Sequence, residues 1–170
     1  QRHWPHALRQ SHVLRALDMW LEDHAADTIV SLLHALVMHD ATSAKDLVQY
    51  PRLLHVVVQL GATKRPWPLV DAPYPSCEAL LVLWRVIQSD RRTAQSLWEQ
   101  GAVDPLLRYV LMPPCDSTSS SPDAREHEQA LLYLTLRILT SLGRYGVGST
   151  SVREVAPAIP RLAQWSISAA

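Results

Sequence analysis

Residues 29–60, IVSLLHALVMHDATSAKDLVQYPRLLHVVVQL, lie without a gap over residues 79–110, ALLVLWRVIQSDRRTAQSLWEQGAVDPLLRYV. Leu33 and Leu83, Asp40 and Asp90, Ala44 and Ala94, and Leu47 and Leu97 coincide. Apolar positions coincide as well, 32 with 82, 36 with 86, 37 with 87, 48 with 98, 53 with 103, 56 with 106, 57 with 107 and 60 with 110, so the same faces are expected to be buried in both copies. Within each copy the apolar residues recur at i, i+3, i+4 and i+7, the period of a helix. Each copy therefore predicts a long helix, a turn capped by Asp40 or Asp90, a short helix through Leu47 or Leu97, and a third helix. Asp27 stands where an N-cap for the first long helix belongs. The third helix is expected to open at Tyr50-Pro51 in one copy and at Asp104-Pro105 in the other, since Asp suits a cap and Pro the first helical position.

A looser third copy starts near Asp123 and runs through Tyr145 to Trp165, led by a stripe of Leu131, Leu132, Leu134, Leu136, Ile138, Leu139 and Leu142. The expectation is one all-α domain over residues 1–170 with about three repeats, at roughly 27–60, 77–111 and 123–167, joined by loops 61–76 and 112–123. Units of this length cannot bury an apolar face alone, and stacking them is the signature of an α-solenoid of armadillo or HEAT type. The first loop holds Pro66, Pro68, Pro73 and Pro75 and is expected to be extended. The second, MPPCDSTSSSPD, is poor in apolar residues and is expected to be mobile. Both follow a third helix, which places them at equivalent corners along one edge of the stack.

Composition agrees with a helical protein. Among 170 residues there are only 5 Gly, 12 Pro, 6 Trp and no Phe, and Leu, a strong helix former, is the commonest apolar residue, at 26 positions. Sixteen basic residues balance sixteen acidic ones, a formal net charge of zero that gives no electrostatic footprint for nucleic acid or an anionic membrane. The longest apolar run, Ala79 to Trp84, falls far short of the roughly 20 residues of a membrane span. Cys77 and Cys115 have no CxxC spacing and no histidines at ligand intervals, which argues against a zinc site or a disulfide framework and points to a reducing compartment. Gln1 opens the chain without an initiator methionine, so an excised piece of a longer protein is expected.

GxSxG, P-loop and GxGxxG motifs are absent from the sequence, and Gly143-Arg-Tyr-Gly-Val-Gly148 follows a helix instead of a strand, as a C-terminal cap and turn would. His3-x-x-His6 with His12 lacks the carboxylate that makes HExxH catalytic, while His34 and His55 lie in apolar helical stretches as core or boundary residues and His39 near a helix C-terminus. Glu126 and Glu128 flank His127 but point to different sides of a helix. No enzyme, metal or cofactor is expected. Fourteen of the sixteen basic residues are Arg, a side chain favoured at interfaces. Arg91 and Arg92 follow the Asp90 cap, in a first turn where the helix dipole disfavours positive charge, so they are either a docking site for an acidic partner or simply two solvated arginines. Trp67 and Pro68 in the first loop offer an amphipathic ring between prolines, for a partner or equally to cover a helix end, and Tyr145 with Gly146 closes the third long helix, serving the turn or a partner. Ser121-Pro122 offers a phosphorylation site or simply a helix start.

Three segments taken together resemble the helical-repeat part of the RNA polymerase II-associated protein 1 family. Leu47-Val-Gln-Tyr-Pro-Arg-Leu-Leu-His-Val-Val-Val58 is similar to the family's short helix that ends in a Pro-Arg-Leu start to the next. Cys77-Glu-Ala-Leu-Leu-Val-Leu-Trp-Arg-Val-Ile-Gln-Ser-Asp-Arg-Arg-Thr-Ala94 resembles its Leu-Leu-Arg-Val-Leu helix, and Leu136-Arg-Ile-Leu-Thr-Ser-Leu-Gly-Arg-Tyr-Gly-Val-Gly148 followed by Glu154-Val-Ala-Pro157 its helix ending in Tyr-Gly-x-Gly. Order and spacing match over roughly residues 27–163, with departures at Leu139, where the family pattern has Trp, and at Ala156, where it has Tyr. The resemblance implies a non-enzymatic scaffold of the cytoplasm and nucleus that helps RNA polymerase II subunits assemble and enter the nucleus, with GPN-loop GTPases and chaperone machinery as partners. A generic armadillo-like adaptor of another pathway is the alternative.

Overall fold

The computed structural model describes residues 6–22, 25–63, 75–111 and 122–144, and among them every regular element is helical. Helix α1 runs over His6–Trp20, α2 over Ala26–His39 and α3 over Ala41–Asp46, which tightens into a single 3-10 turn at Leu47–Gln49. Then come α4 (Pro51–Gly61), α5 (Pro75–Ser89), α6 (Arg91–Glu99), α7 (Val103–Leu111) and α8 (Pro122–Arg144). A shift of fifty residues carries α2 onto all but the first residue of α5, and carries α3 with its 3-10 turn onto α6.

Burial repeats with the same shift. Ile29, Leu33, Val37, Ala44, Leu47, Leu53, Val57 and Leu60 are buried, and so are Ala79, Leu83, Ile87, Ala94, Leu97, Val103, Leu107 and Val110. The first long helices pack in succession, α2 on α5 and α5 on α8, and the third helices likewise, α1 on α4 and α4 on α7. Helix α5 touches α2, α3, α4, α6 and α8, which explains why its sequence is apolar most of the way round. Gly61 lets α4 approach α5 closely: a Cβ there would stand 3.1 Å from Leu80 Cδ2.

Four expectations change. The first long helix starts one residue before Asp27, and its N-cap position is Ala25, with no side-chain cap hydrogen bond; Asp27 sits in the first turn, where its charge suits the helix dipole. Leu32 is not buried like its counterpart Val82, being 45% exposed, because among the described residues α2 has a first-helix neighbour on one flank only. The second copy's third helix opens two residues before Pro105, at Val103. Its start is set by the turn before it: Gly101, at φ +77°, donates its N–H to the Trp98 carbonyl and Ala102 donates to Leu97, a Schellman closure that ends α6 and releases the chain into α7. The first loop is shorter than 61–76, since Gly61 belongs to α4 and Pro75 opens α5. Helix α1, which no periodic stripe predicts, docks Leu14 and Leu17 into the same core. Of the looser third copy, residues beyond Arg144 lie outside the described residues, as do residues 112–121 of the second loop.

Candidate interaction surface

Helix caps fix the corner that carries Arg91 and Arg92. Asp90, extended at φ −169° and ψ 169°, accepts from the Thr93 backbone N–H at 2.7 Å and from its hydroxyl at 2.9 Å. Asp40 repeats the device one unit earlier, accepting from the backbone N–H groups of Thr42 at 3.2 Å and Ser43 at 3.0 Å and from both hydroxyls. Hydrogen bonds stabilise the charged carboxylate, so both acids are held below their ordinary value. In Asp40 the largest cause is the Thr42 hydroxyl and in Asp90 the Thr93 backbone N–H, with Lys45 of α3 adding a smaller attraction to Asp90. Beyond the Asp90 cap both Arg91 and Arg92 are exposed, and the exposed Lys45 acts on the same corner from the preceding unit. Arg91 and Arg92 thus follow an acid already engaged in capping, with Lys45 acting on that same acid, an arrangement suited to an acidic segment of a partner.

Three further features were not expected from the sequence. A groove of about 330 Å³ opens between α4 and the α6–α7 corner, floored by Leu54, Val58 and Leu97 and edged by His55, Gln59 and Gln100. The signal that locates it is Gly101, whose turn sets the corner back. On the α2–α5 seam, Ser31 Oγ donates to Glu78 Oε2 at 2.5 Å, and His34 Nδ1 stands 3.7 Å from Glu78 Oε1. The carboxylate lies between hydroxyl and imidazole, which ties the two helices together and leaves Ser31 without the adjacent imidazole base of a nucleophilic triad. On the α5–α8 seam Arg137 lies over the rings of Trp84 and Tyr133, 4.9 and 5.7 Å from their centroids.

Trp67, Pro68 and Tyr145 lie outside the described residues, as do His3 and Ser121, so Arg91 and Arg92 are the two expected site residues that the structure places. Cys77 is free and half-buried, its thiol pushed up first by burial and then by the neighbouring Glu78. Among the described residues no three His, Cys, Asp or Glu side chains gather as a metal site, and no helix is long and apolar enough to cross a membrane. The class defined so far is an all-helical protein with an internally repeated three-helix unit. No protein-family model, curated protein or solved structure matches the chain.

Proposed function

We propose that this chain is an α-solenoid of armadillo/HEAT-like repeats that serves as a non-catalytic protein-interaction scaffold in an RNA polymerase II assembly and nuclear import factor. The observation that carries the solenoid is the recurrence of helices, caps and buried positions after fifty residues, with first helices packing on first helices and third on third. The client rests on the three segments that resemble the RNA polymerase II-associated protein 1 family. Its site is the Lys45, Arg91 and Arg92 corner, where adjacent arginines and a lysine favour acidic protein surfaces. On this proposal the chain works in both cytoplasm and nucleus, contacting polymerase subunits, GPN-loop GTPases and chaperone machinery, with no role for nucleic acid or membrane.

Purified chain immobilised at low salt is expected to retain RNA polymerase II subunits or a GPN-loop GTPase from cell extract, and the double variant Arg91→Glu/Arg92→Glu to retain markedly less. Both positions are exposed, so helical content should be unchanged. Retention of neither class of protein would overturn the polymerase assignment in favour of an adaptor for another pathway. Equal retention by wild type and variant would move the contact away from this corner.

A further inference from the structure

The seams between successive first helices close on opposite charges. On the α2–α5 seam Glu78 lies between Ser31 and His34, so an acid of the protein itself is the centre of the contact. Fifty residues after His34 stands Trp84, and on the α5–α8 seam its ring and that of Tyr133 lie against the Arg137 guanidinium, 4.9 and 5.7 Å from the two centroids. Here a cation is the centre, and among the described residues no carboxylate pairs with it. The acids of α8, Asp123, Glu126 and Glu128, all fall in its first two turns, and Glu128 precedes Arg137 by about 13 Å along the axis. After Glu128 only Arg137 and Arg144 are charged, two turns apart on one face, and after Glu78 only Arg85 is charged on α5. All three arginines are exposed, and Tyr133 is 62% exposed. Although the net charge is zero, this seam, with both of its helices in place, is cationic.

Ring faces attract a guanidinium but leave its five N–H donors for other acceptors, and they hold a long side chain in place before a partner arrives. Planar donors of this kind bind a carboxylate bidentately. Tyr133 and Trp84 add apolar ring surface beside the charge, and Trp, Tyr and Arg are the side chains that dominate binding energy at interfaces. We propose that the α5–α8 seam docks an acidic segment of a protein partner, with Arg137 clamping a carboxylate and an apolar side chain next to it lying on Tyr133. This contact goes beyond the scaffold proposal, holds whatever the client, and is carried by residues other than those of the Arg91 and Arg92 corner.

A fluorescein-labelled Glu-rich peptide with a central Leu, titrated with the purified chain at low salt and followed by anisotropy, tests it. The wild type should bind this peptide and not its counterpart with Gln in place of Glu. Arg137→Gln should weaken binding about tenfold, and Arg137→Lys several-fold, because an ammonium keeps the charge but loses the planar fork. Tyr133→Ala should weaken it several-fold as well. Arg108→Gln, which removes an exposed charge from α7, should bind like the wild type. All of these positions are exposed, so helical circular dichroism should be unchanged throughout. No binding by the wild type, equal binding of the Gln peptide, or full affinity in Arg137→Gln overturns the proposal. Full affinity together with a lowered urea midpoint in Arg137→Gln would reduce the three side chains to a staple between α5 and α8. Loss confined to Arg91→Glu/Arg92→Glu overturns it too and moves the acidic segment to the corner. No polymerase subunit takes part, so failure of the client assignment leaves these outcomes untouched.

Discussion

Asp40 and Asp90 hold equivalent corners with one carboxylate each, and what they contribute depends on that carboxylate staying charged. Removing an N-cap side chain costs about 0.5–2 kcal/mol, so Asp40→Ala and Asp90→Ala should each lower the urea midpoint at neutral pH by that order. Both folded-state values lie below the ordinary 3.8, so near that value the unfolded chain binds more protons than the native one. Their stabilisation is therefore complete above the ordinary carboxylate range and is lost as pH falls through the depressed folded values. Asn caps a helix as well as Asp but does not titrate. The double variant Asp40→Asn/Asp90→Asn should keep most of the neutral-pH stability and lose less than the wild type between pH 5 and the acid limb, followed by urea titration at each pH. An identical acid decline in both proteins would show that other groups govern it. Gly101 makes a separate contribution through its backbone alone. At φ +77° an alanine Cβ would meet no atom within 4 Å, so Gly101→Ala should cost only the left-handed penalty, about 1–2 kcal/mol, and Gly101→Asn less. An unchanged midpoint for Gly101→Ala would mean that the α6–α7 turn re-forms without that conformation.

Among the helices, α5 does most to join the units, and one of its polar ties is measurable by itself. Ser31, Glu78 and His34 link α2 to α5 across 47 residues of sequence, with Glu78 only 18% exposed. Hydrogen bonds to charged groups contribute about 1.5–3 kcal/mol, so a double-mutant cycle between Ser31→Ala and Glu78→Ala should return a coupling of about 1–2 kcal/mol after partial exposure is allowed for. A coupling indistinguishable from zero would reduce the contact to incidental surface geometry. No local pattern announces this tie, because Ser31 and Glu78 meet only once the two helices pack. The parts that were legible in sequence are those governed by short-range rules. The stripe through Leu33 and Val37 and its copy through Leu83 and Ile87 gave the long helices, Asp40 and Asp90 marked two caps, and Pro51 marked the start of α4. Where the reading fell short, a competing local device intervened: Gly101 moved the start of α7, and Ala25 holds the cap position of α2 ahead of Asp27. Helix α1 was missed because its buried leucines, Leu14 and Leu17, are set among His, Arg, Asp and Gln that blur the apolar stripe. Of the candidate site, the exposed Arg91 and Arg92 were legible from the cap before them, whereas Lys45 joins them only through the packing of one unit on the next.

At the scale of the molecule the question is whether stacked units unfold together or apart. In a chain of repeats each unit contacts its neighbours alone, and cooperativity weakens when the interfaces between units are poorer than the units themselves. Here the balance lies the other way. Helix α5 belongs by sequence to the second unit, yet it packs on α2, α3 and α4 of the first and on α8 beyond, and one continuous cluster of buried side chains runs from Leu14 to Leu142. Unfolding the first unit would strip α5 of three partners and expose Val82, Val86 and Leu83 at once, so a half-folded species has little to hold it together. The chain should therefore unfold in urea in a single transition, with helix loss by circular dichroism and the tryptophan signal, to which Trp20, Trp84 and Trp98 contribute, tracing coincident curves. Leu83 is 1% exposed and faces partners that cannot collapse independently, so Leu83→Ala should cost about 2–5 kcal/mol and move both curves together. If instead Leu83→Ala separates the two probes into distinct transitions, the units are autonomous, and α5 is a boundary between them instead of their shared core.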